Sequence, residues 1–326
     1  MTRSMLVLLL TAGCRFGSAQ TPSNGDYQLA LTDHKGQLSW SIDGFKVTQN
    51  SAKPGGLEIG VRAADSSRRL SFLGFLFLVP EDPLLTSAKC RDGALAQMKQ
   101  SNLKLSEILR PGGLPVALAT YTTTARDGSP NYSVREFVAT GDICGDLEFY
   151  SGSPISDDDA DLKKALHSFA LDPGYTPRFA DVTVYAEVLY KSQAYKAAAP
   201  IFEKALAMVP DDGAPYKSAK IARRITRDQA GMSYGIAGDL AKSRAIFEKG
   251  IVEDPEYPMY YYNLACAEAG EKKLPEARVR LKQAFDRKAN VNPGESMPDP
   301  LNDDSFLPYQ SDKSFWQFLE GLQAKK

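Results

Sequence analysis

One segmental pattern recurs three times between residues 179 and 289, and it limits the possible folds more than any other feature of the chain. Its copies read Tyr195-x2-Ala198-x3-Phe202-x2-Ala205-Leu206-x3-Pro210, Leu240-x2-Ser243-x3-Phe247-x2-Gly250-Ile251-x3-Pro255 and Leu274-x2-Ala277-x3-Leu281-x2-Ala284-Phe285. The small residue advances by 45 positions and then by 34. A fixed phase of small-x3-large has a physical cause in paired antiparallel helices. Small residues let the backbones approach, a large residue one turn later fills the gap, and proline ends the helix. An ordinary amphipathic bundle has no reason to keep that phase. Residues 175–290 are therefore expected to form three stacked helix pairs, an architecture that binds other chains.

The first helices carry further signals. The middle copy supplies Gly231-x2-Tyr234 with a turn at Gly238-Asp239, and the third opens Tyr261-Tyr262-Asn263-Leu264-Ala265-Cys266-Ala267. The first has Ala186 in place of the glycine. These residues resemble the tetratricopeptide repeat (TPR) family. The resemblance implies an all-α solenoid whose concave groove takes a peptide or helix of a protein partner. At the places where some family members clamp a terminal carboxylate, this chain has Thr183, Glu187, Gln229, Met259 and Asn263. None is basic, and Glu187 would repel such a group. The expected groove residues are instead Glu187, Tyr190, Met232, Ile236, Met259 and Tyr262, a mostly apolar and aromatic set suited to hydrophobic anchors. The same side chains could equally pack against the next repeat.

Between the first two copies lies an insertion, Asp211 to Arg223. Pro215 can open a helix there, since a first turn does not use its missing N–H, and the helical pattern then continues to Ile236. Lys217, Lys220, Arg223, Arg224 and Arg227 along it form either a basic docking face for an acidic partner or a solvated face. Past the third copy, residues 291–326 are rich in Pro and Asp and end in Phe315, Phe318, Leu319 and Leu322 at helical spacing. A solenoid needs an end cap, and these residues can supply one.

The chain starts with Met1-Thr2-Arg3-Ser4 and an apolar run from Met5 to Ala12, which reads as a secretory leader too short to span a membrane. Gly17-Ser18-Ala19 fits ordinary cleavage, giving a leader of residues 1–19. Leu10-Thr11-Ala12-Gly13 before Cys14 resembles a lipobox, which would attach the protein to a membrane at Cys14. Either reading predicts an exported protein, periplasmic or secreted. Cys90 and Cys144 are expected to form a disulfide in an oxidising compartment, whereas Cys266 reads as a small buried thiol. The longest later apolar run, Leu70 to Val79, reads as a strand, so no transmembrane span is expected.

Residues 20–171 have a different texture. Strands are predicted over Gln37–Ile42, Phe45–Gln49, Leu57–Ala63, Leu70–Val79, Val116–Thr124, Ser133–Thr140 and Cys144–Tyr150, separated by turn signals such as Asp43-Gly44 and Gly141-Asp142. Helices are predicted over Thr86–Gln100 and 157–169, the second capped by Ser156 with Asp157, Asp158 and Asp159 opposing the helix dipole. The fold class is α+β, an antiparallel sheet with packed helices, followed by the repeat solenoid. The run Val134-x2-Phe137-Val138-Ala139-Thr140-Gly141-Asp142-x-Cys144 to Phe149, with the helix after Ser156, resembles the C-terminal part of the PsbP family. That resemblance implies an exported α/β/α sandwich acting as a binding module.

No chemistry stands out. The two histidines, His34 and His167, have no nucleophile motif around them, and no P-loop or H-E-x-x-H is present. With 39 basic and 40 acidic residues and no basic tract, nucleic-acid binding is not expected. No cofactor or metal is expected. The chain reads as a non-catalytic, exported interaction scaffold at the cell envelope, the alternative being ligand or envelope binding through the α+β domain with the repeats serving assembly.

Overall fold

The computed structural model describes residues 26–110, 114–156 and 159–323. The leader, Cys14, Asp157 and Asp158 lie outside the described residues. The chain divides into two compact units that meet at Ala197 and Ala198.

The first unit is built on strands β1 (Asp26–Ala30), β2 (Gln37–Ser41), β3 (Lys46–Lys53), β4 (Glu58–Asp65), β5 (Leu70–Leu78), β6 (Ser101–Leu109), β7 (Pro115–Thr124), β8 (Pro130–Thr140), β9 (Ile143–Ser151) and β10 (Ala170–Asp172). Seven of them form one antiparallel sheet in the order β3-β4-β5-β9-β8-β7-β6, and β1-β2-β10 form a second. The interior strands are apolar on both sides because both faces of the large sheet are covered.

On one face lies helix α1 (Ser87–Leu95), opened by Thr86, whose hydroxyl accepts from the Lys89 amide. Leu85, Cys90 and Leu95 pack on Ala117, Ala119, Phe137 and Cys144. Cys90 and Cys144 are joined as a disulfide, their Cα atoms 6.1 Å apart. On the other face Trp40 meets Phe72 at 5.3 Å, and Phe72 meets Phe149 at 5.1 Å. Gly145 of β9 lets Leu38 of β2 sit against the large sheet, since a Cβ there would lie 2.7 Å from Leu38 Cδ1. Neighbouring residues of β8 point to opposite faces, and each holds a buried ion pair. Glu136 pairs with Arg110, which also donates to the Phe169 carbonyl at 3.2 Å, and Arg135 grips Asp146 through two nitrogens at 2.8 and 2.5 Å.

The predicted strands are present with ends shifted by up to four residues, and β1, β6 and β10 were not anticipated. Helix α1 stops at Leu95, short of Gln100, because the chain turns into β6 at Ser101. Helix α2 (Ala160–Ser168) begins later than residue 157. Asp159 caps its first turn, its carboxylate accepting from the Leu162 amide at 2.9 Å. Helix α3 (Phe179–Lys191) packs along the edge strand β3, so it belongs to this unit and the limit falls beyond 171–175.

Helix α4 (Tyr195–Ala207) crosses the limit. The second unit continues with α5 (Ala219–Ile236), α6 (Leu240–Glu253), α7 (Pro258–Gly270), α8 (Leu274–Asp286), three single-turn helices at Lys288–Asn290, Pro300–Asn302 and Leu307–Tyr309, and α9 (Lys313–Gln323). Helices α5/α6 and α7/α8 are packed pairs. Their contact follows the small-against-large rule, since a Cβ on Gly231 would sit 2.4 Å from the Phe247 ring. Helix α5 begins at Ala219, capped by Ser218, and not at Pro215. The reason is the turn before it: Gly213, at φ +75°, passes so close to Ser218 and Ala219 that a Cβ would overlap their backbone.

Candidate functional site

Helix α3 is held firmly. The Arg178 amide donates to Asp181 at 2.8 Å across the first turn, and the Tyr185 hydroxyl reaches the carbonyl oxygens of Lys53 (2.6 Å), which ends β3, and Glu58 (2.9 Å), which begins β4. That anchoring fixes the neighbouring Glu187 in a depression of about 300 Å³ lined also by Gln49, Asn50, Val184, Val188, Lys191 and Ser192. Glu187 is 7% exposed. Its Oε2 accepts no hydrogen bond but is ion-paired with Lys191, whose Nζ lies 3.6 Å away, beyond hydrogen-bond distance. Burial pushes the Glu187 carboxyl above its ordinary pKa, with Lys191 acting against the shift. A buried carboxylate with spare acceptor capacity beside two valines suits a basic group carried on an apolar stem.

The other expected groove residues are placed differently. Tyr190 is half-buried, packed edge-on with Tyr195 at 5.0 Å. Ile236 is 45% exposed on α5, and Met232 packs against a cluster of Phe247, Tyr257, Met259, Tyr260 and Leu264. Met259 and Tyr262 are closed in. The chain's own C-terminal segment covers α7: Tyr262 donates to Asp303 at 2.9 Å, Tyr257 to Glu295 at 2.8 Å, and Tyr309 to the Ala269 carbonyl at 2.5 Å. Phe306 seats its ring 6.0 Å from that of Tyr262. Burial and the Asp303 charge both push the Tyr262 hydroxyl up. Of the clamp positions in this unit, Asn263 donates to the buried Asp228 at 2.5 Å, whose carboxyl is pushed well up by burial and by Glu295, and Gln229 is buried.

The basic residues from Lys217 to Arg227 do not form one exposed face. Lys217, Lys220 and Arg223 are exposed, and Lys220 lies 3.6 Å from Asp254. Arg224 and Arg227 are buried. Arg224 binds Asp254 at 2.6 Å, donates to the Asn290 carbonyl at 3.1 Å and lies over the Tyr257 ring, while Arg227 binds Glu253 and lies over Tyr260. Next along α7, the Tyr261 ring lies under Arg287 at 4.7 Å. A signal for this was present in the sequence, because Tyr257 and Tyr260 follow Arg224 and Arg227 by the same 33 positions, close to one repeat period. Asn292, Glu295 and Asp303, which complete the covering of α7, carried no comparable signal in a stretch of mixed Pro, Asp and Ser.

His34 Nε2 lies 3.0 Å from Asp142, and His167 Nδ1 lies 2.6 Å from the Lys163 carbonyl. Among the described residues no group of three His, Cys, Asp or Glu side chains is arranged to hold a metal, and no helix is long and apolar enough to cross a membrane.

No protein-family model matches the chain, and no curated protein is similar to it at a significant level. Solved structures give distant likenesses. The TPR domain of Sgt2 from Aspergillus fumigatus is 16% identical over 46% of this chain and 80% of that one, with a TM-score of 0.31. The Yersinia enterocolitica type III secretion chaperone SycD, in complex with a peptide of the translocator YopD, is 17% identical over 44% and 91%, at 0.29. PcrH from Pseudomonas aeruginosa is 12% identical over 44% and 91%, at 0.30. The PsbP-like resemblance of residues 26–171 is not shown by these comparisons. The paired helices, the 34-residue step from Ser243 to Ala277 and the small-against-large contacts stand on their own, and they make residues 219–286 a TPR-like segment.

Proposed function

We propose that the protein is an exported, non-catalytic interaction scaffold at the cell envelope, and that α3 presents the anchoring site. A peptide or helix of a partner protein lays an apolar stem on Val184 and Val188 and sets a basic group against Glu187. The observation that carries this reading is the Glu187 carboxylate, buried, with an unused acceptor atom and an open depression beside it. Export rests on the sequence of the leader and agrees with a disulfide between Cys90 and Cys144. The covering of Met259 and Tyr262 moves the expected contact away from α7.

The test is crosslinking in the native envelope with wild type and Glu187→Lys, followed by mass spectrometry. A point substitution is needed because ending the chain before α3 would uncover β3. A partner lost in Glu187→Lys, with an unchanged melting temperature, supports the reading; equal capture by both chains refutes it. A second reading is favoured by the fact that every residue lining the depression belongs to the sheet unit. Here a small cationic ligand is bound and the repeats serve assembly. Titration with free arginine against an arginine-containing peptide separates the two.

A further inference from the structure

The two edges of the large sheet are treated in opposite ways. Strand β3, polar along most of its length, lies beneath α3. Among the described residues no helix or strand covers the outer edge of strand β6, and all nine of its residues are exposed. Exposure reaches 42% at Leu103, 48% at Leu105, 43% at Ile108 and 73% at Leu109. Folded proteins usually blunt such edges with charge, proline or a bulge, since the unpaired N–H and C=O groups template another strand. Here the bulge falls at the very start, where the pairing with β7 shifts between Ser101 and Lys104 and Asn102 has φ +54°. From Lys104 to Leu109 the ladder is regular, and the charges are one lysine and one glutamate.

We propose that β6 is a dimerisation edge: two copies of this chain pair β6 with β6, antiparallel about a two-fold axis, and their sheets become one. The occupant follows from self-complementarity. A two-fold centred on Leu105 sets Lys104 opposite Ser106, Glu107 opposite Leu103 and Leu105 opposite its own mate. A two-fold centred on Ser106 sets Lys104 opposite Ile108, Glu107 opposite Leu105 and Leu103 opposite Leu109. Neither register opposes like charges, and both pair apolar side chains that water now covers. The strand carries no net charge, so identical copies do not repel along it. Arg91 steadies the edge from α1: buried at 5% exposure, it donates to the Ser106 carbonyl at 3.3 Å and lies 3.6 Å from Glu107. The Glu107 charge is thereby balanced within its own chain. Closing the edge in this way also removes the aggregation hazard of a long apolar edge strand.

The experiment is sedimentation equilibrium of the full chain across a concentration series, for wild type, Leu105→Lys and Ser106→Cys. Wild type is expected to dimerise reversibly. About an axis at Leu105, Leu105→Lys sets two lysines opposite each other on a residue with no core role and is expected to weaken association by ~10-fold or more with an unchanged melting temperature. About an axis at Ser106 it faces Glu107 of the mate, and the introduced thiols report that register instead. Non-hydrogen-bonded pairs bring Cα atoms to roughly 4.5 Å, within disulfide reach. Oxidation of Ser106→Cys is therefore expected to link two chains through the introduced thiols, as mapped on peptides. A wild-type chain that stays monomeric at its solubility limit overturns the proposal. So does a dimer that Leu105→Lys leaves intact and in which the introduced thiols do not join.

Discussion

Replacing Phe306 by alanine measures how firmly the C-terminal segment belongs to the helical unit. The ring is fully buried, 6.0 Å from the rings of both Tyr262 and Phe315, within a cluster that includes Ala277, Leu281 and Leu319. A buried Phe→Ala change costs about 3–5 kcal/mol when the site cannot collapse. Collapse is restricted here, because Tyr262 is tied to Asp303 and Tyr309 to the Ala269 carbonyl on either side of the vacated volume. With a urea m-value of about 2 kcal/mol/M, the midpoint should fall by roughly 2 M. The two tryptophans make the assay specific, since Trp40 lies in the sheet unit and Trp316 on α9. In a Trp40→Phe background, urea unfolding followed by fluorescence reports α9 alone. A midpoint shift worth less than about 1 kcal/mol would mean that the ring is not held in a fixed cavity. The segment would then be a detachable cover, and its release would cap the cost of the substitution.

Other outcomes follow from the same structure. Gly231→Ala should destabilise the helical unit by about 1–3 kcal/mol, because the new methyl meets the Phe247 ring; unaltered urea midpoints would contradict that contact. Asp65 accepts from Ser67 and Arg68, which hold its carboxyl well below the usual range. Its contribution is therefore present above about pH 4 and lost as pH falls further, so acid unfolding of Asp65→Asn should depend less on pH there. Glu187 has the opposite sign: its raised pKa makes its contribution complete at low pH and lost as pH rises past the ordinary carboxylate range. Glu187→Gln should accordingly be more stable than wild type at pH 7, with the gain vanishing near pH 4 in thermal melts. Reducing the Cys90–Cys144 bond, which closes a span of 54 residues, should cost about 4 kcal/mol, read as a midpoint shift between oxidised and reduced samples.

The sequence reveals what is repeated or alternating. The interior strands β4, β5, β7, β8 and β9 showed themselves through apolar runs and Gly-Asp turns, and the helix pairs through Gly231, Ser243 and Phe247, whose sizes must complement each other. Strand β6 gave no such sign. With both of its faces in water, nothing forces its side chains to alternate, and Leu103, Leu105, Ile108 and Leu109 do not mark a period. The site was legible in part. Glu187 was singled out from its repeat position, but the depression beside it depends on Gln49 and Asn50 of β3, far away in sequence. Arg224 and Arg227 looked like surface charge because their partners Asp254, Glu253, Tyr257 and Tyr260 come a helix later. Met259 and Tyr262 looked like groove because the segment that hides them has no periodic pattern.

The three successive tyrosines of α7 have a mechanical consequence. Tyr260 is taken by Arg227, Tyr261 by Arg287 and Tyr262 by Asp303 and Phe306, each on a different flank of the helix. Turning α7 by one residue, about 100°, would hand every ring to the wrong neighbour at once. The helix is thus locked like an axle keyed on three sides and cannot relay a signal by rotating. Any change of shape within the helical unit falls instead to its joints, among them the left-handed turns at Gly213 before α5, Gly238 before α6, Lys272 before α8 and Gly294 after α8.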